Sequence, residues 1–456
     1  MTSIFSPGTL TKRIIGAGSW SVIGLLVSYS VRLGGSLILT RLLAPRMFGV
    51  MSIAALVTTG LAMLSDLGVK QNIIRSKRGD DPIFLNTAWA VQISRSLLLW
   101  IIALLSSSAI WIIQAKGFVL RSSVYSDPEL APVISVVTFS IIITGFQSTK
   151  LYEASRRLAL ARVTQIQITS QLLSLLCIAL WAWTDPSIWA LTAGGLCSSL
   201  ATTVLSHTYL PGVRNRWAWD RTAIHELFHF GKWIFPSSVM GFVANNADRL
   251  MLGGLVGSST LGIYSIAVTI VGAVTGLLNT IIADISYSAL SEVARERPQD
   301  MKRVLYRFHN ATASFTYLCS GILIVSGPAL VDLLYDHRYH DAGWMLQILA
   351  VSLLAVPVNL SQYALLARGQ PKLFTSVIAV QVICTIIAIP VGFSILNLSG
   401  AMWGFVVGQL SSVAITLFYQ VKNGLFDGKR ELLLLFVLPA GMALGWTLSK
   451  TLSVFL

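Results

Sequence analysis

Charged residues are scarce in this 456-residue chain: Asp, Glu, Lys and Arg together make up only 11% of it. Soluble domains carry about 25% charged residues, so this composition cannot cover a surface that faces water. Acidic residues are the rarer sign, with 19 against 33 basic residues and a net charge of +14. The basic residues are spread over many short segments instead of one patch, which argues against nucleic acid as a partner.

Cysteines and nucleotide-binding loops are also scarce or missing. The chain has four cysteines, all within apolar stretches: Cys177, Cys197, Cys319 and Cys384. This placement excludes a disulfide framework and favours packed thiols without metal. No Gly-rich loop ends in Lys followed by Ser or Thr, so ATP is not expected to drive the protein directly.

Long apolar runs are abundant, since 54% of the residues are hydrophobic. About 20 apolar residues in a helix cross the roughly 30 Å of a bilayer's hydrocarbon core. Thirteen such segments are predicted, at residues 15–40, 47–65, 85–113, 131–147, 160–183, 187–210, 233–255, 259–285, 305–328, 342–366, 373–396, 398–420 and 432–455. We therefore expect an all-α polytopic membrane protein with about 12–14 transmembrane helices.

The distribution of Lys and Arg predicts the orientation. With a cytoplasmic N-terminus, 24 of the 33 Lys and Arg residues fall in cytoplasmic segments and six in external ones. This bias follows the positive-inside rule. The first segment is too long for a signal peptide's apolar region and lacks a cleavage site, so no cleavable signal is expected.

An imperfect internal repeat divides the chain. A shift of 213 residues places Gly49 on Gly262, and a shift of 211 places Arg157 on Arg368. Repeats of this kind are typical of transporters with a site between two related halves. The predicted regions are an N-lobe of six helices at 1–210, a basic cytoplasmic linker at 211–232, a C-lobe at 233–421 and an extra hydrophobic segment at 422–456.

Polar side chains inside the apolar helices indicate a cavity. Charges at membrane depth cost about 2.5–3.5 kcal/mol each on insertion scales, so they face water or a partner. The predicted substrate-binding residues are Arg32, Gln92, Arg95, Asn245, Asp248 and Arg249. Three deep arginines against one deep carboxylate favour an anionic substrate, because guanidinium binds phosphate bidentately. A structural role in bonding neighbouring helices is the alternative for each arginine.

Several short motifs carry a family resemblance. They are Arg41-Leu-Leu-Ala-Pro45-x-x-Phe48-Gly49, Asp66-Leu-Gly68, Phe230-Gly231, Asp248-Arg-Leu-Met-Leu-Gly253, and Gly257 followed by Leu261-Gly262-x-Tyr264. Over about residues 10–420 the chain resembles the polysaccharide-transporter (Wzx-like) branch of the multidrug/oligosaccharidyl-lipid/polysaccharide exporter superfamily. The resemblance implies two six-helix lobes around a central cavity.

The same resemblance implies the substrate, the partners and the location. The substrate would be an oligosaccharide on a polyprenyl diphosphate, exported across the bacterial inner membrane by alternating access for surface polysaccharide synthesis. Membrane lipids, a polymerase and glycosyltransferases are expected partners. No cofactor, metal or catalytic residue is expected, although H⁺ or Na⁺ is a candidate coupling ion with Asp248 as its first candidate site.

Three alternatives remain open at this stage. A cation-coupled multidrug antiporter of the same superfamily would require an acidic cavity instead of a basic one. His225-Glu226-Leu-Phe-His229 matches the His-Glu-x-x-His pattern of zinc hydrolases, but no third ligand accompanies it, and an amphipathic segment at the membrane surface explains it as well. Arg156, Arg157 and Arg368 are predicted to capture the headgroup or form a cytoplasmic gate, unless they only follow the positive-inside rule.

Overall fold

The computed structural model describes residues 7–64, 68–118, 120, 122–157, 159–280 and 286–452. Within these ranges, only the backbone is described at residues 7–23, 64, 230–234, 236–237, 277, 279–280 and 288. Over the described residues the chain is almost entirely α-helical and contains no β-strand. The prediction of an all-α protein is confirmed.

The helices are named in chain order. They are α1 (Pro7–Leu42), α2 (Pro45–Leu64), α3 (Val69–Arg75), α4 (Pro82–Ala115), α5 (Leu130–Val137), α6 (Phe139–Gly145), α7 (Lys150–Arg156), α8 (Leu160–Thr184), α9 (Ile188–Thr208), α10 (Arg221–Leu255), α11 (Ser258–Thr280), α12 (Tyr287–Glu296), α13 (Met301–Leu334), α14 (Ala342–Ala350), α15 (Val356–Ala367), α16 (Pro371–Lys422), α17 (Gly428–Leu435) and α18 (Val437–Leu452). Four of them begin at a proline, whose missing N–H costs nothing in a first turn.

Nine helical stretches within the described residues are long and apolar enough to cross a membrane. Helices α5 and α6 together with α7 form a tenth candidate, bent by 63° at the break between Gly145 and Lys150. Each of the thirteen predicted segments coincides with helix wherever it is described. A polytopic membrane protein is therefore established, while the number of crossings between 12 and 14 stays a prediction.

Helix α16 is two antiparallel helices joined by a tight turn. Leu396 and Asn397 leave helical geometry, and Asn397 has a φ of 53°. The halves lie against each other, since the Gln381 amide donates to Gln409 Oε1 at 3.0 Å. A Cβ on Gly400 would collide with the carbonyl of Gly392. This hairpin matches the predicted segments 373–396 and 398–420.

The chain forms two compact units. Unit 1 comprises residues 1–43 and 50–242, and unit 2 comprises residues 44–49 and 243–456. The boundary between Phe242 and Val243 lies inside α10, downstream of the predicted linker at 211–232. The residues 422–456 belong to unit 2, where Leu434 of α17 packs on Ala313 and Tyr317 of α13. The assignment of the four predicted regions to separate lobes stays a prediction.

Repeat-related residues contact each other inside unit 2. Pro45 begins α2 and Ser258 begins α11, 213 residues later. A Cβ on Gly49 would collide with the Ser258 carbonyl, and a Cβ on Gly262 would collide with the Pro45 carbonyl. The reciprocal contact follows the same shift that relates the two sequences, so both positions require a residue without a side chain.

Candidate functional site

A cavity of about 480 Å³ opens inside unit 1, between the ends of five helices. Its lining residues come from α2, α3, α4, α6 and α7 and are mainly amides, hydroxyls and two cations. They are Thr58, Thr59, Ala62, Met63, Val69, Lys70, Gln71, Gln92, Arg95, Ser96, Ser140, Ile141, Thr144, Gly145, Gln147 and Tyr152. The lining joins two of the predicted substrate-binding residues, Gln92 and Arg95, on α4.

Helix α3 reaches the cavity because of a glycine and an amphipathic turn. Gly68 takes the left-handed conformation, with a φ of 60°, and the helix begins directly after it. The buried side chains of α3 are Val69, Asn72 and Ile73. They occupy one helical face, so Lys70 and Gln71 are exposed and line the cavity. The sequence analysis missed both, although this apolar spacing was a readable signal.

Arg156 holds the other end of α3. Its Nη1 donates to three carbonyl oxygens at the helix C-terminus, those of Ile73 at 2.9 Å, Ile74 at 2.8 Å and Ser76 at 2.7 Å. Its Nε also pairs with Asp80 at 3.3 Å. Such carbonyls have no partner within the helix, and a cation there is favoured by the helix dipole. Arg156 therefore positions α3, and its predicted role in headgroup capture is untested.

Gln92 stabilises the break between α6 and α7. Its amide nitrogen donates to the carbonyls of Thr144 at 3.1 Å and Gly145 at 3.0 Å, which lie at the end of α6. Its Oε1 accepts from the hydroxyl of Tyr152 on α7, at 3.2 Å. A broken helix at membrane depth needs such partners for its backbone groups. Gln92 thus shapes the cavity wall and orients Tyr152, a lining residue that the sequence analysis had noted only as a repeat position.

Two cations, Lys70 and Arg95, determine the charge of the cavity, because none of its described lining residues is Asp or Glu. Arg95 is partly exposed, and its Nη2 lies 3.4 Å from the carbonyl oxygen of Ala62. That distance exceeds the usual 2.7–3.2 Å of an N–H···O bond. The arrangement suits an anion with several oxygen acceptors next to a polar, hydroxyl-bearing group.

The remaining predicted residues of unit 1 lie outside this lining. Arg32 of α1 is exposed, with its guanidinium 5.6 Å from the centre of the Tyr29 ring. Arg157 pairs with Asp80 at 3.1 Å and is half exposed. Their predicted roles in substrate binding and headgroup capture are neither supported nor contradicted by these contacts.

Arg157 has a structural counterpart in unit 2. Arg157 ends α7 and Arg368 ends α15, and in each case the next helix begins three residues later. The Arg368 side chain donates to the carbonyl oxygen of Asn423 at 3.0 Å. The shift of 211 residues in the sequence is therefore also a correspondence between structural positions.

The other predicted residues of unit 2 lie together on α10. Asp248 is buried, and one of its carboxylate oxygens accepts a hydrogen bond from Tyr264 of α11 at 2.6 Å. Its other oxygen and the Nε of Arg249 are buried without a hydrogen-bond partner among the described residues. Asn245, one turn earlier, is exposed. An under-satisfied buried carboxylate is a suitable ligand for a proton or a small cation.

The His-Glu-x-x-His motif occupies the first part of α10. The Oε1 of Glu226 accepts from the hydroxyl of Ser76 at 2.7 Å, and the rings of His225 and His229 stack with centroids 6.1 Å apart. In the part of the chain that the structure describes, no three His, Cys, Asp or Glu side chains are grouped to hold a metal. The motif residues Asp66 and Asp284 and the side chains of Phe230 and Gly231 lie outside the described residues.

The fold and the polar cavity inside a helical unit define a class of protein, a polytopic membrane transporter. Two solved structures share the fold. A lipid II flippase MurJ in an inward closed conformation has a TM-score of 0.69 and 16% identity, covering 94% of this chain and 93% of that one. An inward-facing multidrug resistance MATE family transporter has a TM-score of 0.64 and 12% identity, covering 86% and 93%.

Sequence comparison identifies the family. The family profile described as polysaccharide biosynthesis protein matches residues 38–344, so the chain belongs to this family. It is 21% identical to the lipopolysaccharide biosynthesis protein WzxC of Escherichia coli (strain K12) over 445 residues, 96% of this chain and 86% of that protein. It is 24% identical to the teichuronic acid biosynthesis protein TuaB of Bacillus subtilis (strain 168) over 300 residues, 63% and 58% of the two chains. The predicted polysaccharide-transporter resemblance is confirmed.

Proposed function

We propose that this protein is a flippase that carries lipid-linked oligosaccharides across a membrane for surface polysaccharide synthesis. Family membership over residues 38–344 supports the glycan substrate. The single structural observation that carries the proposal is the cavity of unit 1, where Lys70 and Arg95 lie without a carboxylate among the described lining residues. A polyprenyl diphosphate is the anion that this pair fits.

The physical task is to move a charged, hydroxylated headgroup through hydrocarbon. Burying such a group without partners costs many kcal/mol, so a protein must replace its hydration. Lys70 and Arg95 supply charge to the diphosphate, and the amides and hydroxyls around them donate to and accept from sugar hydroxyls. The polyprenyl chain stays in the lipid while the two units alternate access to the headgroup. Translocation makes and breaks no covalent bond.

Energy coupling is assigned to the Asp248 carboxylate. It is 2% exposed, accepts from Tyr264, and has a second oxygen without a hydrogen-bond partner among the described residues. A proton or a sodium ion on this oxygen would remove the cost of the buried charge. We propose that ion binding here on one side of the membrane and release on the other drives the cycle.

The location follows from the charge bias of the sequence. We propose the bacterial inner membrane with a cytoplasmic N-terminus, next to the polymerase and glycosyltransferases of the same pathway. Reporter domains fused after residues 78, 220 and 300 should report the cytoplasm, and those after 125 and 338 the periplasm. A periplasmic signal at residue 220 contradicts this orientation.

The proposed function is tested by depleting the protein in cells that make a surface polysaccharide. Lipid-linked saccharide should accumulate with its headgroup on the cytoplasmic face, while the sensitivity to organic cations stays the same. The antiporter alternative predicts the reverse pattern, with raised drug sensitivity and normal surface polysaccharide. Rescue by the wild-type chain and by Arg295→Ala, an exposed arginine on α12 outside the cavity, controls for expression.

A further inference from the structure

A buried polar cluster in unit 2 is separate from everything assigned above. His309 of α13 is 1% exposed, and both its ring nitrogens have partners. The Nδ1 lies 3.0 Å from the carbonyl oxygen of Pro357 in α15, and the Nε2 lies 3.2 Å from Oε2 of Glu431 in α17. Glu431 itself is only 17% exposed, and its Oε1 accepts from the Tyr306 hydroxyl at 2.9 Å.

The hydrogen-bond partners fix the number of protons in this cluster. A carbonyl oxygen only accepts, so Nδ1 of His309 must carry a proton and donate to Pro357. The contact between Nε2 and Glu431 then needs a second proton, either on the imidazole or on the carboxylic acid. Both alternatives hold one proton more than a neutral histidine beside an ionised glutamate. The observed contacts therefore require a bound proton.

Charged and titratable groups surround the pair on both helices that carry it. Those nearby are Lys302, Tyr306 and Tyr317 on α13, and Asp427 and Arg430 at the start of α17. Lys302 and Arg430 each pair with Asp427, at 3.9 Å and 3.4 Å, so these three largely compensate each other. Helix α15 contributes a neutral carbonyl. No further ionised partner among these groups contacts His309, which leaves Glu431 as its counter-charge.

We propose that His309 and Glu431 form a proton-binding site that fastens α17 to α13 and α15. Loss of the proton leaves two acceptors facing each other inside the protein, at Nε2 of His309 and Oε2 of Glu431. Such a contact is repulsive, and water must enter to relieve it. The start of the C-terminal segment 422–456 is then released from unit 2. The site goes beyond the proposed flippase activity, because it makes the packing of α17 respond to pH.

The sign of the effect follows from the proton count. The proton is held in the packed state, so packing is complete at low pH and weakens as the pH rises. An ordinary histidine titrates at about pH 6.5, within the range that cells experience. The attachment of α17 should therefore be strongest on the acid side of neutrality.

Hydrogen exchange of the full-length protein in nanodiscs measures this attachment directly. We expect the protection factors of the α17 amides, taken relative to those of α8, to fall about tenfold or more between pH 5.5 and pH 9. Glu431→Gln is the informative variant, because a glutamine amide donates to Nε2 of a neutral His309 and keeps every hydrogen bond. Its α17 should stay protected at both pH values. His309→Gln, which cannot be charged, should also lose the pH dependence.

The control is His340→Gln, since His340 pairs with Asp332 at 2.6 Å on an exposed loop and has no contact with α17. This variant should show the wild-type pH dependence. The proposal is overturned if wild-type α17 is equally protected at both pH values, or if Glu431→Gln keeps the wild-type dependence. If His309→Gln does not fold, the Glu431→Gln comparison alone decides.

Discussion

Replacing Arg95 with alanine is the sharpest test of the cavity in unit 1. Arg95 lines the cavity, and its only close contact specified above is a long one, 3.4 Å to the carbonyl oxygen of Ala62. Its loss should therefore cost the fold little. A charged hydrogen bond to the diphosphate contributes about 1.5–3 kcal/mol, which corresponds to roughly ten- to a hundredfold in affinity.

The assay is the rate of export per copy of protein, measured together with the membrane level and the thermal unfolding midpoint. Arg95→Ala should lose about ten- to a hundredfold in export at sub-saturating substrate while its level and midpoint stay near wild type. Arg95→Lys should fall between the two, because lysine keeps the charge and loses the bidentate fork.

Arg156→Ala provides a structural contrast. Its guanidinium donates to three carbonyls at the end of α3, so the alanine variant should lower the unfolding midpoint and the protein level. Normal levels with full export in Arg95→Ala would refute the anionic cavity. A drop in protein level equal to the drop in export would show that Arg95 is structural.

Three further predictions concern other parts of the chain. Gly262→Ala should destabilise the protein by about 1–3 kcal/mol, seen as a lower unfolding midpoint, because its Cβ collides with the Pro45 carbonyl. Asp248→Asn should abolish ion-dependent export and leave binding of the lipid-linked glycan measurable; ion-dependent export at the wild-type rate would exclude this coupling site. Asp220, whose pKa is lowered to about 2 by the hydroxyl of Thr222 and by Arg78, adds stability that is present above its unfolded pKa and lost as the pH falls towards 2. Asp220→Asn should therefore lower the midpoint at pH 7 and have little effect near pH 2, and equal effects at both pH values would contradict the assignment.

The helices were predictable because their signal is local. A run of about 20 apolar residues has no other stable arrangement than a buried or membrane-spanning helix, and all thirteen predicted segments are helical where described. The turn at Asn397 was also predictable, since the polar and small residues around it interrupt one long apolar stretch. The break in α10 between the two units was not, because no change in composition marks Phe242.

The roles of individual arginines depend on residues far away in the chain. Arg95 and Arg156 look alike in the sequence, yet one lines a cavity and the other binds carbonyls about 80 residues away. His309 and Glu431 are 122 residues apart and meet only through the packing of α17 on α13. Lys70 was missed because its helix is seven residues long and follows the described break at Gly68. Such roles require the tertiary structure.

Transport in proteoliposomes tests the central claim most directly. The purified protein is reconstituted in one orientation with a fluorescent saccharide on a short prenyl diphosphate, and the headgroup that reaches the opposite leaflet is measured by an added quencher. The account predicts transfer that depends on the protein, is slowed in Arg95→Ala and is unchanged in Arg295→Ala. Transfer of organic cations with no transfer of the lipid-linked saccharide would contradict it.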